Sequence, residues 1–290
     1  MKPTIGFIGL GMMGLPLATR LQNAGYPLRV FNRTRTKAQS LVSNGAVWCD
    51  DPTATAQGSE IVLSMVSTSE VLKEVATLAL QGLGVGKVYI DMSTVSPAVT
   101  SELADAFKDG GRHFLHSPVL GSIPQATDGT LLLFVGGAEE AFTKSEQILN
   151  ILGKQIWRFE SVGQASHAKL LCNMFIAGMI TTLVQALVYA QRAGVDRQTL
   201  LEILGQSALN STMVQTKGAS IIEQNFAPRF FLEHMLKDIN LILDAGEKLG
   251  APLPAIEVSQ ELFAQASQAG FGKQDYSAVF KTLESMPRQG

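Results

Sequence analysis

Two groups of residues in this 290-residue chain could do chemistry. The first is a set of glycines. Ile5-Gly6-Phe7-Ile8-Gly9-Leu10-Gly11-Met12-Met13-Gly14 places Gly9, Gly11 and Gly14 in GxGxxG spacing, between a β-rich run and a helical pattern. In a dinucleotide site the first glycine permits a tight turn, the second lets a pyrophosphate approach the backbone, and the third lets helix and strand pack closely. The amides at the helix start, from Leu10 through Met12 and Met13, then face the phosphates. The second group is Lys169 and Asn173, four residues apart and so on one helix face. Lys169 is the last charge before an uncharged run from Leu170 to Gln191. A lysine at the edge of such a helix either snorkels to solvent or serves a cleft. In a cleft that reduces a carbonyl, a cationic donor stabilises the developing alkoxide and delivers its proton.

A third cluster concerns which dinucleotide would bind. The second β-rich run ends Val30-Phe31-Asn32-Arg33-Thr34-Arg35, without the acid that accepts from a ribose 2′-hydroxyl in NAD enzymes. Asn32 can hydrogen-bond a 2′-phosphate without repelling it, Arg33 can stack on adenine and pair with the phosphate, and Thr34 can donate a further bond. NADP, with NADPH preferred over NADH, is the expectation. The plainer readings are a glycine-rich turn without a ligand and a solvated loop carrying Arg33 and Arg35.

The elements that must position these residues follow from periodicity. Thr4–Ile8, Leu28–Phe31, Glu60–Met65, Val88–Asp91, Phe114–Ser117 and Leu131–Val135 read as strands. They alternate with helical patterns such as 13–23 and 36–43, which implies βαβ units and a sheet covered on both faces. After Trp157 long helical repeats follow one another. The expectation is an α/β dinucleotide-binding domain over residues 1–162 and an all-helical domain over 163–290.

Composition narrows the field. A hydrophobic fraction of 46% against 17% charged residues supports buried cores and argues against disorder. With 23 Lys+Arg against 25 Asp+Glu, nothing attracts a polyanion globally, so no nucleic-acid partner is expected. Cys49 and Cys172 make neither a disulfide framework nor a CxxC site, which fits a cytoplasmic protein. Lys2 and the apolar run after it imitate a leader, but the clustered glycines disfavour the helix a leader forms. The Leu170–Gln191 run is long enough to span a bilayer, yet reads better as a helix buried between protein layers, so no membrane is expected. His113 and His116 lack companion ligands, so no metal site is expected. No GxSxG elbow supports a hydrolase.

The ordered motifs resemble the β-hydroxyacid dehydrogenase family over almost the whole chain. The Gly6 to Gly14 signature is similar to the family's N-terminus. Ser117-Pro118-Val119-Leu120-Gly121-Ser122 is similar to its PVSG substrate loop. Gly163, Lys169 and Asn173 match GxGxxxKxxxN with Ala165 at the second glycine, and Lys237-Asp238 matches a later KD motif behind Phe230 and Leu232. The resemblance implies an N-terminal Rossmann domain and a C-terminal all-α domain joined by a long interdomain helix. It implies Lys169 as general acid with Asn173 orienting the substrate. Ser93, Gly121 and Ser122 would hold the substrate carboxylate through amides and hydroxyls. Met65, Val66, Thr94 and Lys237 would line the cofactor, beside Gly9, Leu10, Gly11, Met12, Met13, Gly14, Asn32, Arg33 and Thr34. The Asn32-Arg33-Thr34 run, and Gly121-Ser122 followed by Asp128-Gly129, look like the NADPH-dependent glyoxylate/succinic semialdehyde reductase branch. Leu120 replaces the usual serine of the loop, and His116 stands where an acidic or small residue is common. The implied reaction is NADPH-dependent reduction of a short aldehyde or 2-oxo acid by a cytoplasmic homodimer or homotetramer. The alternatives are an NAD-dependent 3-hydroxyisobutyrate or tartronate semialdehyde dehydrogenase and a non-catalytic nucleotide-sensing protein.

Overall fold

The computed structural model describes residues 2–287. The chain divides into two compact units, with the division between Lys169 and Leu170.

The first unit is built on a nine-stranded sheet: β1 (Ile5–Ile8), β2 (Leu28–Phe31), β3 (Val47–Trp48), β4 (Ile61–Ser64), β5 (Val88–Asp91), β6 (His113–His116), β7 (Val119–Leu120), β8 (Leu131–Gly136) and β9 (Gly153–Phe159). The strand order is β3-β2-β1-β4-β5-β6-β8-β7, with β9 also paired to β8. Strands β1 to β6 pair in parallel. Every residue of β1, β4 and β5 is buried, which their near-continuous apolar runs require of a sheet covered on both faces. Alternate side chains feed the two covering layers: Phe7, Leu63 and Ile90 one, Ile8, Val62 and Tyr89 the other. In the second layer Tyr89, Phe107 and Phe114 pack ring to ring, with centroids 5.1 to 5.7 Å apart.

The chain leaves β1 toward β2 and β3 on one side, then crosses to β4, β5 and β6 on the other. That reversal puts the switch point, where ligands of open α/β sheets sit, at the C-terminal ends of β1 and β4. Three strands lie outside the sequence reading: β3, β7 and β9. In addition β8 runs antiparallel to β6 and β7, so the sheet is mixed at this edge and residues 117–130 double back beside β6.

The second unit is helical. Its core is fed by Leu232, Met235, Ile239 and Ile242 from one face of the helix Leu232–Leu249, and by Ala177, Ile180, Val184 and Leu187 from the long helix Val162–Arg192. By length and composition the long helix could cross a membrane, with mean hydropathy 1.8 over its most apolar window, of which 44% is buried inside the protein. The first turn of the Leu232–Leu249 helix is closed by backbone: the amides of Leu232 and Glu233 donate to the carbonyls of Gln274 and Gly272. That donor-closing segment is pinned by Asp275. Its carboxylate accepts from Lys217 Nζ at 2.7 and 2.9 Å, from the amides of Arg229 and Phe230, and from Ser277.

Candidate dinucleotide and substrate site

The glycine turn joins β1 to the helix Gly14–Asn23. Gly9 has φ +95°, and a Cβ there would stand 2.3 Å from the Met65 carbonyl oxygen after β4. A Cβ at Gly14 would meet the Gly9 carbonyl at 1.9 Å. Both glycines are therefore dictated by the fold. Gly11 is different, because a Cβ there meets no protein atom within 4 Å. Packing does not ask for glycine at this position, whereas close approach of a pyrophosphate to the backbone does. With the helix start beside it, the turn fits a nicotinamide dinucleotide.

The turn is tied to the end of β2. Gly9 N donates to Phe31 O, and Leu10 N donates to Asn32 Oδ1, both at 2.9 Å. Asn32 Nδ2 donates in turn to Thr34 O at 2.9 Å. The side chain expected to face a 2′-phosphate thus spends its carbonyl and one amide hydrogen on the loop itself, keeping one hydrogen for a ligand. Aspartate here could serve Leu10 but could not donate to Thr34. Arg33 and Thr34 are exposed, while Arg35 lies over the Trp48 ring at 5.3 Å.

At the C-terminal ends of β4, β5 and β6 the polar side chains are buried. Ser64 Oγ and Ser93 Oγ both donate to Asp91 Oδ1 at 2.7 Å, Ser93 N donates to Asp91 Oδ2 at 3.2 Å, and His116 Nδ1 lies 3.2 Å from Asp91 Oδ2. Burial, then the Asp91 charge, push the Tyr89 phenol above its ordinary range. Val66 N donates to Ser93 Oγ at 2.9 Å, which fixes the turn Met65-Val66 beside Gly9. Thr94 follows, partly buried. The loop after β6 begins with Ser117 N donating to Asp91 O at 2.7 Å and reaches Gly121 and Ser122 ahead of a short helix. There Gln125 Oε1 accepts from Ser122 N at 2.9 Å.

Lys169 lies two turns into the long helix and is buried at 8% exposure. The helix start is set by Ser161, whose hydroxyl accepts from Gln164 N, and by Ser166, whose hydroxyl pairs with Thr100 at 3.0 Å. Within the second unit, Asn173 Nδ2 donates to Asp238 Oδ2 at 2.6 Å, and Lys237 Nζ lies 2.7 Å from Asp238 Oδ1. One carboxylate, 1% exposed, therefore brings Asn173 and Lys237 together. Sequence reasoning gave Lys237 a role and quoted Asp238 only as the second residue of the KD motif. It passed over Asp91, whose signal was a charge ending the apolar run Val88-Tyr89-Ile90. His113 and His116 do not converge: His113 is 3.6 Å from Glu140, and His116 faces Asp91. Among the described residues no group of three or more His, Cys, Asp or Glu is placed to hold a metal.

Comparison with known proteins agrees with this geometry. Residues 4–163 match the family model described as the NAD binding domain of 6-phosphogluconate dehydrogenase, and residues 163–283 match that described as NAD-binding of NADP-dependent 3-hydroxyisobutyrate dehydrogenase. Glyoxylate/succinic semialdehyde reductase 2 of Arabidopsis thaliana is 33% identical over 97% of this chain and 80% of its own length. The 2-(hydroxymethyl)glutarate dehydrogenase of Eubacterium barkeri is 31% identical over 97% of this chain and 95% of its own. A solved structure of Mycobacterium tuberculosis 3-hydroxyisobutyrate dehydrogenase with L-serine superposes with a TM-score of 0.90, at 28% identity, over 98% of this chain and 100% of that one. Relatives of nearly equal similarity carry different substrate names, so what is shared is the dinucleotide turn, the sheet that carries it and the oxidation chemistry. On that ground the chain belongs to the β-hydroxyacid dehydrogenase family, as an NAD(P)-dependent oxidoreductase.

Proposed function

We propose that this chain reduces a short carboxylate-bearing aldehyde or 2-oxo acid, of the glyoxylate or succinic semialdehyde type, with NADPH. The observation that carries the reading is the buried ammonium of Lys169, one helical turn ahead of Asn173. A bound nicotinamide supplies hydride to the carbonyl carbon. Lys169 Nζ holds the carbonyl oxygen and gives it a proton as negative charge develops there. Asn173, oriented by Asp238, fixes the substrate beside it, and Lys237 on the same carboxylate serves the cofactor side. Gly121 and Ser122 bind the substrate carboxylate. Leu120, partly buried in the same loop, offers a methyl-rich surface where a hydroxyl is usual, which favours a substrate with an aliphatic link between its two functional groups.

NADPH preference rests on the end of β2. With Asn32 engaged by Leu10 and Thr34, no carboxylate opposes a 2′-phosphate, and the exposed Arg33 guanidinium is the pairing group. The test is an oxidation assay with NADPH and NADH across glyoxylate and the succinic, methylmalonate and tartronate semialdehydes. NADPH is expected to give the higher kcat/KM, and Arg33→Ala to lower it by about tenfold with NADPH alone, the effect of one lost charge-assisted bond. Turnover of none of the four carbonyls, or equal use of NADH, contradicts the reading.

The same proposal includes a homodimer or homotetramer in the cytoplasm. Leu171, Phe175 and Tyr189 of the long helix are 56 to 76% exposed. Phe175 borders an apolar groove of about 670 Å³ lined also by Met174, Leu204, Leu209 and Leu253, a face suited to a second copy. Light scattering of the purified chain reads its state. Cys49 and Cys172 are free thiols, as a reducing compartment keeps them.

A further inference from the structure

Ser64, Asp91 and His116 are register partners across β4, β5 and β6, so their side chains form one row at the C-terminal ends of three adjacent strands. All three are 0% exposed, as is Ser93. Asp91 takes the donors of Ser64 and Ser93. Its Oδ1 takes the hydroxyl protons of Ser64 and Ser93 at 2.7 Å, and its Oδ2 faces Ser93 N and His116 Nδ1 at 3.2 Å.

A serine hydroxyl has one proton and two lone pairs. At Ser93 the proton goes to Asp91, one lone pair accepts from Val66 N at 2.9 Å, and the main-chain N–H goes to Asp91 as well. Neither donor of Ser93 remains for a substrate carboxylate. Giving one up would strip a donor from a buried carboxylate in a region that excludes water. What Ser93 does have is a fixed acceptor, and that acceptor sets the Val66 amide and with it the turn that carries Met65 past Gly9.

On the other side of Asp91 the chain runs from His116 into the substrate loop, whose first amide, Ser117 N, donates to the Asp91 carbonyl at 2.7 Å. We infer that Asp91 is the positioning residue that sets the cofactor-lining turn through Ser93 and holds the start of the substrate loop through its main-chain carbonyl, so that Ser93 acts on the dinucleotide side and touches no substrate. His116 packs 3.2 Å from the same carboxylate on the loop side, with neither ring nitrogen hydrogen-bonded. This rests on the reading above for what the two loops bind.

The test separates the dinucleotide side from the substrate side in the full-length protein. Dissociation constants for NADPH are measured by the fluorescence of the reduced nicotinamide, with no turnover, and substrate preference by the ratio of kcat/KM for succinic semialdehyde to that for butanal, which lacks the carboxylate. Ser93→Ala raises the NADPH Kd about tenfold, the worth of one hydrogen bond, and leaves the succinic semialdehyde to butanal ratio at the wild-type value. Ser93→Thr, which keeps the hydroxyl, restores the Kd. Thermal melts confirm that each variant is folded. A Ser93→Ala protein that binds NADPH as the wild type does but loses its preference for the carboxylate overturns the inference. Wild-type protein that binds no reduced dinucleotide overturns the functional reading instead, before any variant is compared.

Discussion

Each unit of this protein holds a buried aspartate that gathers donors from segments distant in sequence, and the two do so with different chemistry. Asp91 is satisfied by the Ser64 and Ser93 hydroxyls and the Ser93 amide at the ends of adjacent strands. Asp275 is satisfied by an ammonium: Lys217 bridges both its oxygens and packs over the Tyr276 ring at 4.3 Å, with main-chain amides of Arg229 and Phe230 completing the shell. Burial pushes the Lys217 ammonium below its ordinary value even though Asp275 pulls it up, the mark of an ion pair taken out of water. A pair of that kind is costly to break, and it holds the segment that closes the Leu232–Leu249 helix. The Asp91 row contains no lysine or arginine and lies at the C-terminal ends of β4, β5 and β6. The difference is one of purpose: the helical unit secures its architecture with charge, while the sheet unit fixes the Met65-Val66 turn through hydroxyls and amides.

The largest effect that would break this comparison lies at Lys217. Lys217→Met leaves the Asp275 carboxylate buried without its cation and is expected to cost about 3 to 5 kcal/mol, read as a fall in Tm of roughly 10 °C or more. Replacing both partners, as Lys217→Met with Asp275→Leu, should recover a large part of that loss. An unchanged melting temperature in the single variant would remove the distinction between the two aspartates.

A smaller effect sharpens the comparison within the helical unit. Burial, then the Lys237 charge, hold the His234 imidazole below its ordinary value of 6.5. The native state therefore binds fewer protons than the unfolded chain between that lowered value and 6.5, and stability falls as pH drops through this window. The side chain is 35% exposed, so the slope is shallow. Urea titrations at pH about 7 and about 5.5 should show less pH dependence in His234→Gln than in the wild type. Identical slopes would show that the histidine does not titrate against its neighbours Lys237, Lys273, Glu233 and Asp238.

Much of this was legible in the sequence where a local pattern carries the structure. Gly9, Gly11 and Gly14 fall directly after a fully apolar strand, and the run from Leu170 to Gln191 could only be a long helix. The short strand β3 was not legible, because two residues carry no periodicity. Nor was the reversed direction of β8, because apolar runs in parallel and antiparallel central strands look alike. The aspartates were harder for another reason. Asp91 reaches Ser64 across 27 residues, Asp238 reaches Asn173 across 65, and Asp275 reaches Lys217 across 58. Periodicity names the face a residue occupies but not the partner it meets there. Asn32 illustrates the limit most directly: its position in the motif was readable, while its double engagement with Leu10 and Thr34 required the fold.

The central claim is that Lys169 supplies the proton in a dinucleotide-dependent reduction. Its most direct test compares Lys169→Ala with the wild type in two measurements on the same preparation, the NADPH dissociation constant by fluorescence and the turnover of succinic semialdehyde. The account predicts an unchanged dissociation constant and a kcat lower by about 10² to 10⁴-fold, the range for loss of a general acid. A variant that binds NADPH and turns over at the wild-type rate would contradict it.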